Sequence, residues 1–365
     1  MKFIPISQPS ITQKEIDYVT DAVSSGWVSS LGKYIDMFED KFAAYCGVKY
    51  AVATCNGTVA LHLALVSLGV GAEDEVIIPN LTFVATGNAV KYIGAKVVTV
   101  DVDEETLCIN PKAIEKAITS RTKVIIPVHL YGHPANMDEI NNIARKYNLY
   151  VIEDAAEAHG AEVNGKKVGG LGHAGVFSFY GNKIITSGEG GMITTNNEFL
   201  CHRMRYLRDH AMTQEKRYWH TEVGFNYRMT NLQAALGVAQ FERIDELLAK
   251  KKEIFDWYEE ELKYVKNISL NRQAPWAKNV YWMVCLELSG YDEKRRDEFI
   301  RKLKEKNIDS RPYFYPVSHM PMYDDVVTPI TQRFFQKGLN LPSYFDISKE
   351  QVQYVCNTIK DELMK

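Results

Sequence analysis

The sequence predicts an α/β fold, with a mostly parallel, seven-stranded sheet in a large domain and a smaller α+β domain at the carboxyl end. Through the first half, short apolar runs alternate with segments of helical periodicity, which is typical of a parallel sheet covered by helices on both faces. After Thr195 this alternation stops. Because 365 residues exceed one typical core, we expect two domains, residues 1–245 and 246–365.

The chain opens with two predicted helices. Ser10 and Gln13 have the spacing of a capping box, and an apolar rhythm follows them as far as Gly26. A second, amphipathic helix is predicted from Tyr34 to Tyr45, with large apolar side chains on one side. Both helices precede the first predicted strand.

Seven strands and the helices between them follow in order. The predicted strands are Tyr50–Ala53, Glu75–Ile78, Lys96–Val100, Val124–Val128, Leu149–Ile152, Val176–Phe179 and Met192–Thr195. The predicted helices are Val59–Leu68, Thr82–Tyr92, Pro111–Ile118 and Asp138–Tyr147. Ligands of such sheets bind beyond the carboxyl ends of the strands, so we expect a site among the residues that follow them.

The C-terminal part of the chain has the pattern of an α+β unit of ordinary domain size. A long helix is predicted from Leu232 to Lys252, continuing after a bend to Val265, and we expect it to join the domains. Beyond it come a strand, a helix, a second strand and a closing helix. These are Val280–Leu288, Glu293–Lys306, Ile308–Tyr315 and Gln351–Met364.

The composition argues against several classes of partner. The net charge of −3 gives no reason to expect nucleic acid or an anionic membrane surface. No apolar run is long enough to cross a bilayer, and the N-terminus lacks the pattern of a signal peptide. The six cysteines are widely spread without a CxxC pair. We therefore expect a cytoplasmic protein with reduced thiols.

Lys183 lies in a glycine-rich segment between the last two predicted strands. Gly181, Gly188, Gly190 and Gly191 accompany it, and glycines let the backbone approach a flat or phosphorylated group closely. A lysine removed from water has a lowered pKa and becomes a nucleophilic amine, suited to forming a Schiff base. The alternative is an ordinary surface lysine in a hairpin.

A turn between the first strand and its helix could hold a phosphate. Asn56, Gly57 and Thr58 form this turn, so Thr58 falls at a helix N-terminus. Free backbone N–H groups and the helix dipole favour an anion there. Plain capping of the helix by Asn56 or Thr58 explains the same residues.

Asp154 follows an apolar strand, at a place where a carboxylate faces the ligand crevice. There it could keep a pyridine nitrogen protonated and make the ring an electron sink. Glu157 and His159 are its neighbours along the chain. A salt bridge or a metal site is the alternative, but no HExxH pattern or second ligand cluster supports a metal, and none is predicted.

Two other motifs match a pattern without its structural context. Residues 170–175 fit GxGxxG, but they precede a strand instead of linking a strand to a helix, so no dinucleotide site is predicted. His129 and His133 have HxxxH spacing, but Gly132 and Pro134 exclude a regular helix and hence a zinc pair.

A phosphate-binding turn, an aspartate at a strand end and a buried lysine, in this order on a parallel sheet, are the three supports of pyridoxal 5′-phosphate. The supports lie in three of eight motifs that are spread along the chain. The motifs are GWVS from Gly26, CNGTVALHLAL from Cys55, PNLTFVAT from Pro79, VHLYGHP from Val128, EDAAEAHG from Glu153, FSFYGNKIITSGEGG from Phe177, GFNYRMTN from Gly224 and NLPS from Asn340. With these motifs nearly the whole chain resembles the DegT/DnrJ/EryC1/StrS family of sugar aminotransferases. The resemblance implies fold type I of pyridoxal-phosphate-dependent transferases, the fold of aspartate aminotransferase.

The resemblance also implies a role for each matching residue. Lys183 should form the Schiff base with the cofactor and move the proton during transamination; it also excludes the dehydratase branch, in which a histidine replaces it. Asp154 should pair with the pyridine nitrogen, Glu157 should approach the phenolic oxygen, and Phe83 should stack on the ring. Phosphate contacts are implied for Gly57, Thr58, Ser178 and, from the neighbouring subunit, Asn226.

A phosphate contact from the neighbouring subunit implies an active homodimer with shared sites, and a tetramer stays open. Four further residues are implied to contact the substrate: Trp27, Arg228, Tyr313 and His319. The resemblance implies L-glutamate as the amino donor and a keto sugar nucleotide as the acceptor, with a product used for polysaccharides such as O-antigen or capsule.

Residues 217–220, 281–283 and 311–317 look most like the subgroup that aminates GDP-4-keto-6-deoxy-D-mannose to perosamine. The family commonly reads Pro-Val-His at the end of the last segment, whereas this chain reads Pro316, Val317, Ser318, His319. Another 3-keto or 4-keto nucleotide sugar, or a small phosphorylated ketone such as dihydroxyacetone phosphate, therefore stays open. A lyase or dehydratase on the same scaffold, or a non-catalytic binding protein, are the rival classes.

Overall fold

The computed structural model describes residues 2–364 of the chain. Its strands, in chain order, are β1 Tyr50–Thr54, β2 Glu75–Pro79, β3 Lys96–Val100, β4 Thr122–Ile125, β5 Tyr150–Asp154, β6 Glu162–Val163, β7 Lys166–Lys167, β8 Ala174–Ser178, β9 Gly191–Thr195, β10 Ile268–Leu270, β11 Ala277–Lys278, β12 Val284–Leu288, β13 Arg311–Pro312 and β14 Gly338–Leu341.

The α-helices, in chain order, are α1 Gln13–Ser24, α2 Lys33–Cys46, α3 Gly57–Ser67, α4 Ala85–Tyr92, α5 Pro111–Ala117, α6 Met137–Tyr147, α7 Glu198–Arg208, α8 Asn231–Phe241, α9 Ile244–Leu262, α10 Glu293–Glu305, α11 Pro329–Lys337 and α12 Lys349–Leu363. Within residues 2–364, no helix combines the length and the apolar character that crossing a bilayer requires.

The main sheet has seven strands in the spatial order β1-β9-β8-β5-β4-β2-β3. Strands β3, β2, β4, β5 and β8 run parallel, and β9 lies antiparallel between β8 and β1. The carboxyl ends of β1, β2, β5 and β8 therefore share one edge of the sheet. With the α+β unit that follows, this sheet confirms the predicted fold class.

Both faces of the main sheet are covered, which explains why its strands are continuous apolar runs. On one face, α2 packs Phe38 and Phe42 against Phe177 and Phe179. On the other face, α3 is apolar almost all round, and its leucines pack with Val176 and the other side chains of that face. The strands thus form a rigid platform, and the loops at its carboxyl edge are free to carry polar groups.

The C-terminal part forms a second, four-stranded sheet with the order β10-β12-β14-β13. Helices α10 and α12 and the distal half of α9 pack on it around a separate apolar core. Ile4 belongs to this core: its N–H donates to Asn307 O at 2.8 Å, and its carbonyl accepts from Asp309 N at 2.9 Å. The N-terminal segment therefore lies against the C-terminal unit.

Helix α9 contributes to both cores. Ile244 and Leu247 pack with the large sheet, whereas Ile254, Phe255 and Tyr258 pack with the small one. The helix is thus shared between the two units, as expected for a connecting helix. The division into residues 1–245 and 246–365 stays a prediction.

Two predicted helical features differ in the structure. The capping box of α1 is formed by Thr12 and Glu15, not by Ser10 and Gln13, because the helix begins at Gln13. The helix predicted from Leu232 to Lys252 is interrupted near its middle: α8 ends at Phe241 and α9 begins at Ile244. Arg243, at this break, forms an ion pair with Glu15 of α1 at 2.8 Å.

The C-terminal strands are shorter than predicted. Within Ile308–Tyr315 only Arg311–Pro312 pairs as a strand, because Pro312 and Pro316 lack the N–H groups that a longer ladder needs. Within Val280–Leu288 the ladder begins at Val284, after Tyr281 with φ of 50°. Helix α11 and strand β14 were not predicted.

Candidate active site

Most of the predicted site residues lie along the carboxyl edge of the main sheet. Thr58 follows β1, Phe83 follows β2, Asp154 ends β5, and Ser178 ends β8. Lys183 follows β8 in the loop that leads to β9. One edge therefore assembles chemistry from four strands that are remote in sequence.

Lys183 is buried between polar and aromatic groups. Its side chain is 12% exposed, and its Nζ lies 3.8 Å from Glu157 Oε1 and 4.0 Å from the centre of the Trp282 ring. Burial lowers the pKa of Lys183, and the carboxylates of Glu157 and Asp154 oppose that shift. This burial excludes the alternative of an ordinary surface lysine and leaves an amine that loses its proton more readily than a solvated one.

Asp154 presents a buried carboxylate that is held at both oxygens. Thr86 Oγ1 donates to Oδ2 at 2.7 Å, and the N–H of Ala156 donates to Oδ1 at 3.2 Å. Burial raises the pKa of Asp154, while these hydrogen bonds and the charge of Lys183 lower it. A cationic ring nitrogen is the kind of partner that would offset the cost of this burial.

Glu157 differs from Asp154 in its surroundings. Its Oε2 accepts from the N–H of Tyr131 at 2.8 Å, and its Oε1 faces Lys183. Burial raises the pKa of Glu157 to about 7, against the opposing effect of the nearby lysine. At neutral pH this carboxyl group can therefore donate a hydrogen bond as well as accept one.

The turn before α3 packs tightly against the end of β8. Asn56 caps the helix by accepting from Val59 N at 3.0 Å, as the capping alternative requires. That cap leaves the N–H groups of Gly57 and Thr58, at the first two helical positions, to bind an anion. A Cβ on Gly57 would lie 2.9 Å from Ser178 Cβ, so glycine is needed for this approach.

Two of the predicted residues present exposed side chains near the edge. Phe83 is 55% exposed, and its ring centre lies 5.6 Å from that of Phe314. Asn226 is also exposed, and its Oδ1 accepts from Arg228 Nε at 3.1 Å. Arg228 in turn pairs with Asp209 at 2.7 Å. The side chains of Phe83 and Asn226 are therefore accessible to a cofactor ring, a phosphate or a second chain.

The four residues implied to contact substrate have different surroundings. Trp27 is 57% exposed on the loop between α1 and α2. His319 is exposed with its ring edge-on to Phe335, whereas Ser318 is buried and exchanges hydrogen bonds with Asn80. Because the histidine is displaced by one position, Ser318 points into the protein and His319 lies at the surface.

Tyr313, the fourth of these residues, is buried. Its side chain is 1% exposed, and its ring packs 5.1 Å from that of Tyr131. The next residue, Phe314, reaches the ring of Phe83 instead. Tyr313 follows β13 directly and its side chain lies in the protein interior, so its contact with the substrate stays a prediction.

The GxGxxG segment and His129, for which the sequence predicts no ligand, contact a carboxylate of the protein itself. The N–H groups of Gly169, Leu171 and Gly172 donate to the carboxylate of Glu153 at 2.7–2.8 Å, so the glycine-rich loop binds a side chain of the protein itself. His129 Nε2 lies 3.1 Å from the same carboxylate. Among residues 2–364, no three His, Cys, Asp or Glu side chains are arranged to hold a metal ion.

Three residues at the site escaped sequence reasoning. Thr86 donates to Asp154, Tyr131 donates to Glu157, and Trp282 covers Lys183. Thr86 and Tyr131 belong to motifs beyond strand ends, where a polar contact could have been sought. Trp282 comes from the C-terminal unit, and no local pattern connects it to Lys183.

The arrangement fits pyridoxal 5′-phosphate on chemical grounds. Asp154 provides a buried carboxylate for the ring nitrogen, and Lys183 a buried amine for the aldehyde. The helix N-terminus at Gly57 and the hydroxyl group of Ser178 offer donors to a phosphate, and Phe83 offers an exposed aromatic face. The three supports expected from the sequence thus lie at one edge.

Comparison with known proteins gives consistent results. The model of the DegT/DnrJ/EryC1/StrS aminotransferase family matches residues 9–360. GDP-perosamine synthase of Escherichia coli O157:H7 is 45% identical over 363 residues, covering 99% of each chain. GDP-perosamine synthase of Caulobacter vibrioides is 46% identical over 365 residues, covering 99% of this chain and 98% of the relative.

A solved structure also matches the chain over nearly its whole length. The putative sugar aminotransferase Spr1654 from Streptococcus pneumoniae, in its PLP-form, matches with a TM-score of 0.93 and 27% identity. The match covers 98% of this chain and 98% of that one.

Proposed function

The chain belongs to the DegT/DnrJ/EryC1/StrS aminotransferase family, and we propose that it moves the amino group of L-glutamate to GDP-4-keto-6-deoxy-D-mannose, forming GDP-perosamine. The resemblance predicted from the sequence is confirmed by the match over residues 9–360. The enzyme is an aminotransferase that depends on pyridoxal 5′-phosphate. The likeness to two GDP-perosamine synthases, at 45% and 46% identity over nearly the whole length, supports this choice of acceptor.

The observation that carries the assignment is the buried amine of Lys183 beside two buried carboxyl groups. Pyridoxal phosphate, when bound, supplies an electron sink for negative charge at the reacting carbon. Asp154 would hold a proton on the ring nitrogen, which keeps that sink effective. Glu157 would bind the phenolic oxygen, and Gly57, Thr58 and Ser178 would bind the phosphate.

Lys183 carries the proton in both half-reactions. It takes the proton from Cα of glutamate as a general base; the amino group would stay with the bound cofactor, and water would supply the keto oxygen of the 2-oxoglutarate that leaves. In the second half it delivers a proton at C4 of the sugar, so that ketone and glutamate become amino sugar and 2-oxoglutarate in equal amounts. A lowered pKa suits this dual role, because the buried amine loses its proton more readily than a solvated lysine does.

The active unit that we propose is a homodimer in which each site borrows from its neighbour. Asn226 and Arg228 lie on a loop that is open in the single chain, where a partner's phosphate or substrate could reach them. Trp27 and His319 are exposed as substrate contacts would be. The product would serve polysaccharide synthesis in the cytoplasm, and a tetramer of two such dimers is compatible with the proposal.

A screen of keto acceptors tests the proposal directly. The enzyme loaded with pyridoxal phosphate is given L-glutamate and one of four ketones: the GDP-linked sugar, its UDP-linked and dTDP-linked counterparts, and dihydroxyacetone phosphate. We expect 2-oxoglutarate to form in equal amount to the amino sugar, fastest with the GDP-linked ketone. Formation with another ketone alone would reassign the substrate, and a deaminated product without 2-oxoglutarate would indicate a lyase.

The variant Lys183→Ala controls this screen. It should lose at least about a thousandfold in turnover, because the positioned acid–base and the Schiff-base amine are removed together. Near wild-type turnover in this variant would contradict the assignment of Lys183. Release of 2-oxoglutarate, followed with glutamate dehydrogenase, measures both enzymes.

A further inference from the structure

Trp282 links the C-terminal unit to the loop that carries Lys183. It lies just before β12 and is 3% exposed. Its Nε1–H donates to the backbone carbonyl of Asn182, the residue before Lys183, at 2.8 Å across 100 positions of sequence. A buried indole usually finds such a partner, but here the partner belongs to the site loop.

The indole ring also contacts the reactive amine itself. Lys183 Nζ lies 4.0 Å from the centre of the Trp282 ring, and 3.8 Å from Glu157 Oε1. The amine is therefore held between an aromatic face and a carboxyl group. Both neighbours favour the ammonium form and act against the desolvation that burial imposes.

Trp282 is itself fixed from several directions. Its carbonyl accepts from Lys251 Nζ at 2.9 Å, and the same amine donates to Ser343 O at 2.5 Å. Its ring lies nearly parallel to that of Tyr131, at 20° and 6.3 Å. A Cβ on Gly132 would come within 2.8 Å of its backbone nitrogen, so the two segments are in close contact. The indole therefore has little freedom to turn away from Lys183.

We propose that Trp282 is a positioning residue for Lys183: its ring face holds the amine, and its Nε1–H fixes the backbone that carries it. This positioning matters in transamination because Lys183 must release its covalent bond to the cofactor and later form it again. Between those events the free amine has to stay near the reacting carbon and accept a proton. This inference rests on the proposed role of Lys183 as the proton carrier.

The titration of Lys183 in the full-length chain, freed of cofactor, tests the inference. Competitive labelling with acetic anhydride across a pH series, with the Lys183 peptide quantified by mass spectrometry, gives the pKa of that one amine. In Trp282→Leu we expect this pKa to fall by about one unit, because an aromatic contact with a desolvated cation has about that effect. Trp282→Phe retains an aromatic face and should show a smaller fall.

Trp257→Leu is the matched control. Lys250 Nζ lies 4.3 Å from the Trp257 ring on α9, so a comparable lysine–ring contact is removed without changing the ring that faces Lys183. This variant should leave the pKa of Lys183 unchanged. Should Trp282→Leu fail to fold, Trp282→Phe alone still decides the question.

A purely structural role for Trp282 predicts a different result. The variants would then unfold at lower temperature while the pKa of Lys183 stayed at its wild-type value, and that outcome, or a rise in the pKa, would overturn the inference. Labelling needs no substrate, so a wrong choice of keto sugar leaves the result unaffected. Failure of the proposed function is thus distinguishable from failure of this inference.

Discussion

At the scale of single residues, two carboxyl groups at the site have the same chemistry and different surroundings. Asp154 is bound by a hydroxyl and a backbone N–H, whereas Glu157 is bound by one backbone N–H and faces a lysine. When their environments give two neighbouring carboxyl groups different pKa values, the two groups usually have different roles. Asp154 suits a permanent partner for a cationic nitrogen, and Glu157 suits a hydrogen bond whose direction can change.

The raised pKa of Glu157 has a consequence for stability. In the native chain this pKa is about 7, against 4.5 for an unperturbed glutamate, so the native state holds a proton that the unfolded chain loses in that window. The stabilisation is present in full below pH 4.5 and is lost as the pH rises through about 7. Its size is at most about 3 kcal/mol.

We therefore expect Glu157→Gln to flatten this part of the pH dependence. Urea unfolding of the cofactor-free chain at pH 5 and pH 8 measures it: wild type should lose more stability between the two values than the variant. Glu105→Gln, at an exposed turn, is the control and should behave like wild type. If the free energy of unfolding changed by the same amount between pH 5 and pH 8 in wild type and in Glu157→Gln, that result would contradict the raised pKa of Glu157.

Which site residues can be found from sequence depends on how local their signal is. Lys183, Asp154 and Thr58 were predictable because each lies in a short motif at a strand end. Thr86 and Trp282 were not, because their importance comes from what they contact and not from where they stand in the chain. Tyr313 shows another limit, because a motif resemblance did not reveal that its side chain is buried.

At the scale of elements, the turn before α3 and the end of β8 form one unit. The approach between Gly57 and Ser178 leaves no room for a side chain at the glycine. The same turn also meets β9, since a Cβ on Gly191 would lie 2.5 Å from Asn56 O. The helix N-terminus is thus held at a fixed distance from the strand that leads to Lys183.

Gly57→Ala should disturb this unit. We expect a loss of stability of about 1–3 kcal/mol, because the added methyl overlaps Ser178 and the backbone must move. Affinity for pyridoxal phosphate should fall about tenfold, since the N–H groups at the helix N-terminus move with it. Urea unfolding and titration of the cofactor absorbance measure the two effects.

Gly71→Ala is the matched control for this substitution. No atom lies within 4 Å of a Cβ placed there, so its effect should be small on both measures. Equal cofactor affinity in the two variants would show that the approach of the turn to β8 is unimportant for binding.

The boundaries of elements were predicted less well than their existence, for physical reasons. The break between α8 and α9 is invisible to apolar periodicity, which continues across it, and is accompanied by the pairing of Arg243 with Glu15 of a distant helix. The region Ile308–Tyr315 has strand-like composition, but its prolines limit the ladder. In both places tertiary contacts override the local pattern.

At the scale of the whole molecule, the proposed homodimer gives a test that no single chain can mimic. Lys183 and Asp154 belong to one chain at each site, whereas Asn226 is proposed to come from the other. Mixing inactive Lys183→Ala with inactive Asn226→Ala subunits should therefore restore one complete site in each mixed dimer. Random reassortment makes half of the dimers mixed, so about a quarter of wild-type activity should return.

The pair Lys183→Ala and Asp154→Asn is the control for subunit mixing. Both changes fall on the same side of the proposed interface, so no mixed dimer has a complete site and activity should stay absent. Return of activity in this control, or its absence in the first mixture, would contradict the shared site. The 2-oxoglutarate assay follows both mixtures after mild denaturation and refolding.

The pairing of Ile4 with the segment around Ile308 also bears on how the polypeptide emerges from the ribosome. At translation rates of roughly 5–20 residues per second, that first β-bridge has to wait on the order of 15–60 s for its partner to be made. Ile4 is thus synthesised long before its partner and can dock only late. A bulky tag fused ahead of Ile4 would meet the nascent C-terminal unit as it closes, whereas a C-terminal tag would follow the completed helix α12.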